Sequence, residues 1–159
     1  KMRLISKIYS TLFATALLAI SNASYSQSSL GAGLTVHPNG GDNDIGLDVR
    51  ARFGMGDALA TSFDINALPS YRWSGASLGI NANLQYILGD KDAFSFCPLA
   101  GMHIATSTNF NYGQFGLNLG GCGNYMLNEK LAIFGEIKLK VRRNRSNRSV
   151  LNFGLMFSL

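Results

Sequence analysis

Charge and proline are scarce in this sequence. Its 159 residues include 3 prolines, 2 cysteines and 1 tryptophan, and only 14% are charged, whereas 47% are hydrophobic. This low charge and high apolar content argue against disorder, and the length allows one domain. A framework of several disulfides is excluded, because two cysteines can form only one bond. The chain is therefore expected to be a single folded unit.

Long apolar runs are confined to the beginning of the chain. Three basic residues precede the run IYSTLFATALLAI, and the small, polar residues SNASYSQ follow it. This order is typical of a secretory signal peptide. We therefore predict a signal peptide over residues 1–26, with cleavage after Ala23 as an alternative, and a mature domain over residues 27–159. An uncleaved anchor is disfavoured, because the run is shorter than the ~20 residues that span a bilayer.

Strong basic character is absent once the predicted signal peptide is removed. The formal charge of +5 falls to +2 without Lys1, Arg3 and Lys7. The segment RRNRSNR carries more than this excess on four arginines: Arg142, Arg143, Arg145 and Arg148. One short basic run is not the distributed basic face of a nucleic-acid-binding protein, so we expect no nucleic-acid partner.

Apolar and polar residues alternate in segments along the whole predicted mature chain. In FGLNLGGCGNY, for example, Phe115, Leu117 and Leu119 alternate with glycine and asparagine. Period-2 alternation is typical of a half-buried strand, and no apolar run after residue 26 reaches the length of a spanning helix. Eight segments show the pattern: residues 29–37, 45–54, 61–67, 77–88, 94–105, 115–125, 131–141 and 151–159.

Two architectures are compatible with this alternation, a soluble β-sandwich and a membrane β-barrel. The polar faces carry glycine, asparagine and opposite charges, which suits a narrow lumen better than a surface rich in lysine and glutamate. The even number of strands, of about ten residues each, fits a small outer-membrane barrel. We therefore predict an all-β fold, an eight-stranded antiparallel transmembrane β-barrel in the outer membrane.

The parity of the strands predicts which charged residues point into the lumen: Asp48, Arg50, Arg52, Asp64, Glu136, Lys138 and Lys140. In an eight-stranded barrel the interior is just wide enough for side chains, so this lumen is expected to be plugged. We expect Glu136 to pair with Arg50, Arg52 or a neighbouring lysine. The short segments MGDA, LGDKD and LNEK are predicted periplasmic turns, and the other four connections would face outside.

Three segments resemble the small outer-membrane β-barrel (porin-family) proteins of Bacteroides-type bacteria. They are LQYILGDKDAFSFCPLAG, FGLNLGGCGNYMLNEKLAIFGEIKLK and the final NFGLMFSL, and the resemblance covers about the C-terminal two thirds of the chain. It implies an architecture similar to the OmpA transmembrane domain and OmpX. It implies little about activity, because such barrels serve as structural proteins, adhesins, narrow pores or enzymes.

Catalytic and metal-binding patterns are scarce. His37 and His103 both fall on the predicted lumen face, whereas an acyl-ester hydrolase of this architecture would need a histidine beside a serine at the lipid face. The two histidines and two cysteines lack the spacing of metal ligands. We therefore expect no catalytic residues, no metal and no cofactor.

A non-enzymatic integral outer-membrane protein with a structural or surface-interaction role is the favoured function. A narrow porin for small solutes is the alternative, and a lipid-modifying enzyme is less favoured. The expected partners are outer-membrane lipid and lipopolysaccharide, together with the outer-membrane assembly machinery, and the expected oligomeric state is a monomer. Arg142, Arg143, Arg145 and Arg148 would contact lipopolysaccharide phosphates, unless they form only a solvated loop.

The two cysteines fall on one predicted hairpin. Counting back equally from its centre, near Asn109 and Phe110, brings Cys97 opposite Cys122, both on the lumen face. Directly opposed residues have Cβ atoms ~4.5 to 5.5 Å apart, and the closer type of pair approaches the ~3.5 to 4.5 Å of a disulfide. An exported chain meets an oxidising compartment, so we predict a disulfide, with two buried free thiols as the alternative.

Overall fold

A computed structural model describes most of the chain beyond its first segment. The described residues are 28–39, 42–70, 75–90, 93–107, 114–142 and 147–159. The predicted signal peptide lies outside the described residues, as do parts of the four connections that were predicted to face outside. No helix within the described ranges is long and apolar enough to cross a membrane.

Eight long strands make up the fold. They are β1 (Ser28–Asn39), β2 (Asp42–Gly54), β3 (Leu59–Ser70), β4 (Gly75–Tyr86), β5 (Phe94–Ser107), β6 (Gln114–Asn128), β7 (Leu131–Arg142) and β8 (Arg148–Ser158). Each predicted segment lies on one of these strands, and the differences are at the ends. Beyond β4, for example, the short segment Leu88–Gly89 pairs separately with Phe96 and Ser95 of β5.

The strands close into a barrel. Each strand pairs antiparallel with the next, including β4 with β5. The last strand, β8, returns to β1 over the register from Ser29 opposite Ser158 to Val36 opposite Leu151. Closure leaves no strand with unpaired backbone groups along an open sheet edge. The predicted eight-stranded antiparallel barrel is confirmed.

The two ends of the barrel differ in their connections. One end, here called the turn-side end, holds both ends of the described chain, where Leu159 N donates to Ser28 O at 2.8 Å. Its turns include Gly56 and Gly89, whose φ angles of 90° and 93° lie in the left-handed region that glycine adopts without steric cost. The opposite, loop-side end carries the connections between β1 and β2, β3 and β4, β5 and β6, and β7 and β8.

Alternation divides every strand between an apolar exterior and a polar lumen. On the outside, Leu47, Ile80 and Phe115 are 63%, 56% and 59% exposed. Facing inward, Asn66 and Asn118 are fully buried. The buried core of this protein therefore lies inside the barrel and is mainly polar, whereas a large apolar surface covers the outside, as in a barrel surrounded by lipid.

Candidate functional site

An arginine clamped between two carboxylates occupies the middle of the lumen. Arg50 on β2 donates from Nε to Asp48 Oδ2 at 2.8 Å, and its Nη2 lies 2.7 Å from the same oxygen. The guanidinium also reaches Glu136 on β7, at 3.2 Å and 3.4 Å from its two carboxylate oxygens. All three residues are buried, so each charge is compensated where water is excluded.

A lysine continues this network across the barrel. Lys138 Nζ lies 2.8 Å from Glu136 Oε1 and donates to both oxygens of Asp64 at 3.1 Å. Lys138 is on β7 and Asp64 is on β3, which are four strands apart in either direction round an eight-stranded barrel. This ion pair therefore joins opposite walls and crosses the lumen.

Asparagine side chains saturate the carboxylates. Asp48 Oδ1 accepts from Asn66 Nδ2 at 2.6 Å, and Asp64 accepts from Asn81 and Asn83 at 2.6 Å and 3.1 Å. Further amide contacts tie these groups together: Asn81 to Asn66, Asn118 to Asn81 and Asn83, and Asn152 to Glu136. The lumen is thus a continuous hydrogen-bonded layer, in which each added partner lowers the cost of burying charge.

One aromatic residue belongs to the network and was missed in the sequence. Phe134 on β7 is 1% exposed, and Arg50 Cζ lies 3.8 Å from the centre of its ring. Such a cation–π contact supports a guanidinium on a face that has no hydrogen-bond acceptor. The signal was available, because Phe134 shares the parity of Glu136 and Lys138 and so faces the lumen rather than lipid.

The seven predicted lumen charges do not form one group. Asp48, Arg50, Asp64, Glu136 and Lys138 make the ion network described above. Two predicted members lie apart from it. Arg52 is half-buried and donates from Nη2 to Cys97 Sγ at 3.9 Å, while Lys140 is buried without an ion pair or hydrogen bond among the described residues.

The cysteines face each other across the β5–β6 hairpin. Cys97 is directly opposite Cys122, so the predicted register is confirmed. Both are buried free thiols in the structure, and Cys97 Sγ accepts from Asn124 Nδ2 at 3.3 Å. The cysteines are therefore directly opposed, and the predicted disulfide itself stays a prediction.

The histidines lie in the lumen and not in a catalytic arrangement. His37 and His103 are 8% and 2% exposed, and one ring nitrogen of each, Nε2 and Nδ1 respectively, has no hydrogen-bond partner. Within the described ranges, no three histidine, cysteine or acidic side chains come together as metal ligands would. His37 and Lys140 lie in the loop-side half of the lumen, because each is two residues from the loop-side end of its strand.

The predicted lipopolysaccharide contact falls at the same end of the barrel. Arg142, at the end of β7, is half-buried and donates to Gln114 Oε1 at 2.9 Å. Arg148, at the start of β8, is exposed. Arg143 and Arg145 lie outside the described residues.

Comparison with known proteins identifies the fold. No protein-family model and no curated protein matches the chain. Among solved structures, the N-terminal β-barrel domain of Pseudomonas aeruginosa OprF is 11% identical with a TM-score of 0.68, over 85% of this chain and all of that one. The fold is that of a small outer-membrane barrel.

Two other solved structures support the same assignment of fold. Yersinia pestis Ail, the attachment invasion locus protein, in complex with the heparin analogue sucrose octasulfate, is 11% identical with a TM-score of 0.60, over 84% of this chain and 97% of that one. Neisserial surface protein A (NspA) is 13% identical with a TM-score of 0.55, over the same shares of the two chains. At such low sequence identity the similarity shows the fold alone, and function depends on the residues of the lumen and the surface.

Proposed function

We propose that this chain is a non-enzymatic integral outer-membrane β-barrel whose lumen is plugged by its own side chains. It crosses the membrane with its eight strands and acts as a structural or surface-interacting protein rather than as a passage for solutes. The apolar exterior and the likeness to outer-membrane barrels support the location. The resemblance to porin-family barrels of Bacteroides-type bacteria stays a prediction.

The ion pair across the lumen is the observation on which the plug rests. Lys138 and Asp64 extend from opposite walls and meet at 3.1 Å, and both side chains are fully buried. A solute passing through the barrel would have to separate these charges. Asp64 would then stay buried without a cation, which costs several kcal/mol. This cost argues against the narrow porin that the same fold would otherwise allow.

An enzymatic role has less support. Both histidines are buried in the lumen, away from the apolar exterior where a membrane lipid would have to be attacked. A change in the mass of lipid A on expression of the protein would revive the lipid-modifying alternative.

Glu136→Ala tests the plug. This change removes the carboxylate shared by Arg50 and Lys138, so we expect the melting temperature in detergent to fall, by an amount equivalent to about 3 to 5 kcal/mol. Glu129→Ala, in the exposed turn between β6 and β7, is the matched control and should leave the melting temperature unchanged. Purified wild-type protein should give no stable conductance in planar bilayers. An unchanged melting temperature for Glu136→Ala, together with ohmic conductance of the wild type, would refute the plug.

At the outer surface, we propose that the arginine-rich connection contacts lipopolysaccharide phosphates. Its residues are Arg142, Arg143, Arg145 and Arg148, whose guanidinium groups can bind phosphate oxygens bidentately. The exposure of Arg148 at the barrel rim supports this proposal. The Ail complex is a parallel, because there a barrel of similar fold is in complex with a polysulfated sugar.

Replacing three of these arginines tests the contact. Glutamine at positions 143, 145 and 148 keeps polar side chains but removes their charge, so less lipopolysaccharide should co-purify with the barrel. Asparagine substitutions at Lys130 and Glu129, both in the turn-side connection, are the matched control. Equal recovery of lipopolysaccharide from the triple variant and the wild type would contradict the contact.

A further inference from the structure

Lys140 is one of the two predicted lumen charges that lie outside the ion network. Only 6% of the residue is exposed, yet none of the described residues forms an ion pair or hydrogen bond with its ammonium. Lys138, two residues earlier on the same face of β7, has two carboxylate partners. A buried lysine is costly without a counter-charge, and the described residues place no carboxylate within ion-pair distance of Lys140, so an anion from outside the chain can serve as its partner.

The neighbours of Lys140 do not supply that counter-charge. The residues directly opposite it are Asn118 on β6 and Arg148 on β8. His37, near the loop-side end of β1, follows Val36, which is opposite Leu151 on β8, so it lies at the same end of the barrel as Arg148 and Lys140. Among the described side chains near this end, Asp44, which is opposite His37, is the acidic one. Among the described side chains, three cations, Lys140, Arg142 and Arg148, therefore accompany one carboxylate at this end.

Unpartnered polar atoms accompany this excess. His37 Nε2 and Thr35 Oγ1 are buried on β1 without a hydrogen-bond partner, and Asn152 Oδ1 on β8, opposite Thr35, is in the same condition. Buried polar groups are normally satisfied by protein, water or a ligand. Two of these three atoms belong to groups that can donate hydrogen bonds, as the lysine and arginines do.

There is room for one methyl group beside the ammonium. A Cβ atom added to the lumen-facing Gly79 on β4 would meet nothing closer than Asn66 Oδ1 at 3.8 Å and Lys140 Nζ at 3.9 Å. At Gly101 and Gly116 an added Cβ would instead overlap neighbouring atoms. The lumen is therefore looser around Lys140 than at these two positions.

We propose that the loop-side half of the lumen is a binding site for a phosphate group, with Lys140 at its base and His37, Arg142 and Arg148 around it. A tetrahedral oxyanion suits this set, because its several oxygens can accept from donors on different strands at once. The site is distinct from the surface contact proposed above, since Lys140 and His37 are buried inside the barrel. The phosphate could be free inorganic phosphate or a phosphate group of lipopolysaccharide that enters from the loop side.

Titration of the full-length barrel with inorganic phosphate tests the site. In a non-ionic detergent and a phosphate-free buffer, phosphate should bind and raise the melting temperature, while chloride at equal ionic strength should not. Lys140→Met should weaken phosphate binding by about tenfold or more, as expected for the loss of one charge-assisted hydrogen bond. Lys130→Met, in the exposed turn-side connection, should bind as the wild type does. The proposal is overturned if phosphate acts no differently from chloride or if Lys140→Met binds it equally well.

A substitution that keeps Lys140 provides an independent check. Gly79→Asp would place a carboxylate within reach of the ammonium, so it should raise the melting temperature without phosphate and abolish the shift that phosphate causes. Gly79→Ala, which adds the Cβ without a charge, is its control and should retain phosphate binding. Unchanged binding by Gly79→Asp would contradict the site even if Lys140→Met failed to fold.

Two arms distinguish the sources of the phosphate. If lipopolysaccharide supplies it, intact lipopolysaccharide should compete with inorganic phosphate and its dephosphorylated form should not. If free phosphate is the natural ligand, neither form should compete. Both results support a phosphate site, whereas equal competition by the two forms would show binding through another group and overturn the proposal. The Lys140→Met readout does not involve the surface arginines 143 and 145, so this test can fail while the surface contact holds.

Discussion

The middle and the loop-side half of the lumen both hold buried polar and charged side chains, but the hydrogen-bonding groups of the two regions are satisfied to different degrees. In the middle, Asp64, Glu136 and Lys138 share ion pairs and amide donors at 2.6 to 3.1 Å. Two residues further along β7, Lys140 has no such partner among the described residues, and His37 keeps an unsatisfied ring nitrogen. A charged residue that faces the lumen therefore has no fixed role. Its partners on other strands determine whether it is paired within the barrel or available to a ligand.

The largest expected effect separates two lysines. Lys138→Met should lower the free energy of unfolding by about 3 to 5 kcal/mol, because it leaves Asp64 and Glu136 buried with fewer cations. Lys140→Met removes a buried charge that forms no ion pair or hydrogen bond within the described part of the chain, so in phosphate-free buffer stability should be unchanged or higher. Equilibrium unfolding by denaturant in lipid vesicles measures both variants against the wild type.

These two variants form a matched pair, since the substitution, strand and face of the strand are identical. Equal destabilisation by Lys138→Met and Lys140→Met would erase the difference between the two regions. In that case burial of the lysine side chain, rather than its ion pairs, would set the stability.

A pair of glycines tests the same comparison through packing. An alanine Cβ at Gly101, in the middle of β5, would overlap the carbonyl oxygen of Ala82 and lie 2.6 Å from Asn83 Oδ1. Gly101→Ala should therefore cost about 1 to 3 kcal/mol through overpacking. Gly79→Ala has room for its methyl group, and its effect should stay within about 0.5 kcal/mol.

Thermal unfolding in the same detergent measures the loss of stability in the two alanine variants. The wild type and Gly135→Ala serve as references, because a Cβ on the outward-facing Gly135 meets nothing within 4 Å. If Gly79→Ala proved as costly as Gly101→Ala, the space beside Lys140 would not exist.

The smallest expected change is the oxidation of the two thiols to a disulfide, which removes two hydrogen atoms. Cys97 and Cys122 lie opposite each other nearer the turn-side end, and a disulfide would add a covalent link beside the middle of the lumen. We expect the mature protein, denatured and alkylated without reductant, to gain no alkyl groups. Addition of two groups under those conditions would show that both thiols are free in the cell-derived protein. The same protein reduced before alkylation is the control.

Much of this organisation could be predicted from residue patterns. Alternation is a local property with a fixed period, so it located all eight strands and the face of residues such as Asp48 and Glu136. Equal counting along a hairpin also placed Cys97 opposite Cys122, because antiparallel register follows from the turn. These are relations between residues that are close in the sequence or joined by one hairpin.

The partners inside the lumen could not be predicted in the same way. Arg52 and Arg50 have the same parity, yet only Arg50 reaches Glu136, since reach depends on the relative height of strands that are not neighbours in sequence. Phe134 was missed because an aromatic residue on a barrel strand is usually assigned to the lipid face. The absence of a described partner for Lys140 likewise depends on the residues that other strands place around it.

The ion pair between Asp64 and Lys138 also has a consequence for the order of assembly. The two residues are 74 positions apart in the chain and on opposite walls, so they cannot meet while the sheet is still open. A partly assembled sheet therefore carries charges of both signs on the face that will become the interior, and water must solvate them. Pairs within one strand, such as Arg50 with Asp48, can form earlier, but Asp64 meets Lys138 only when the sheet curls round to join β8 and β1. Closure of the barrel is thereby coupled to the pairing of Asp64 with Lys138, which favours the closed barrel over an intermediate with an open edge.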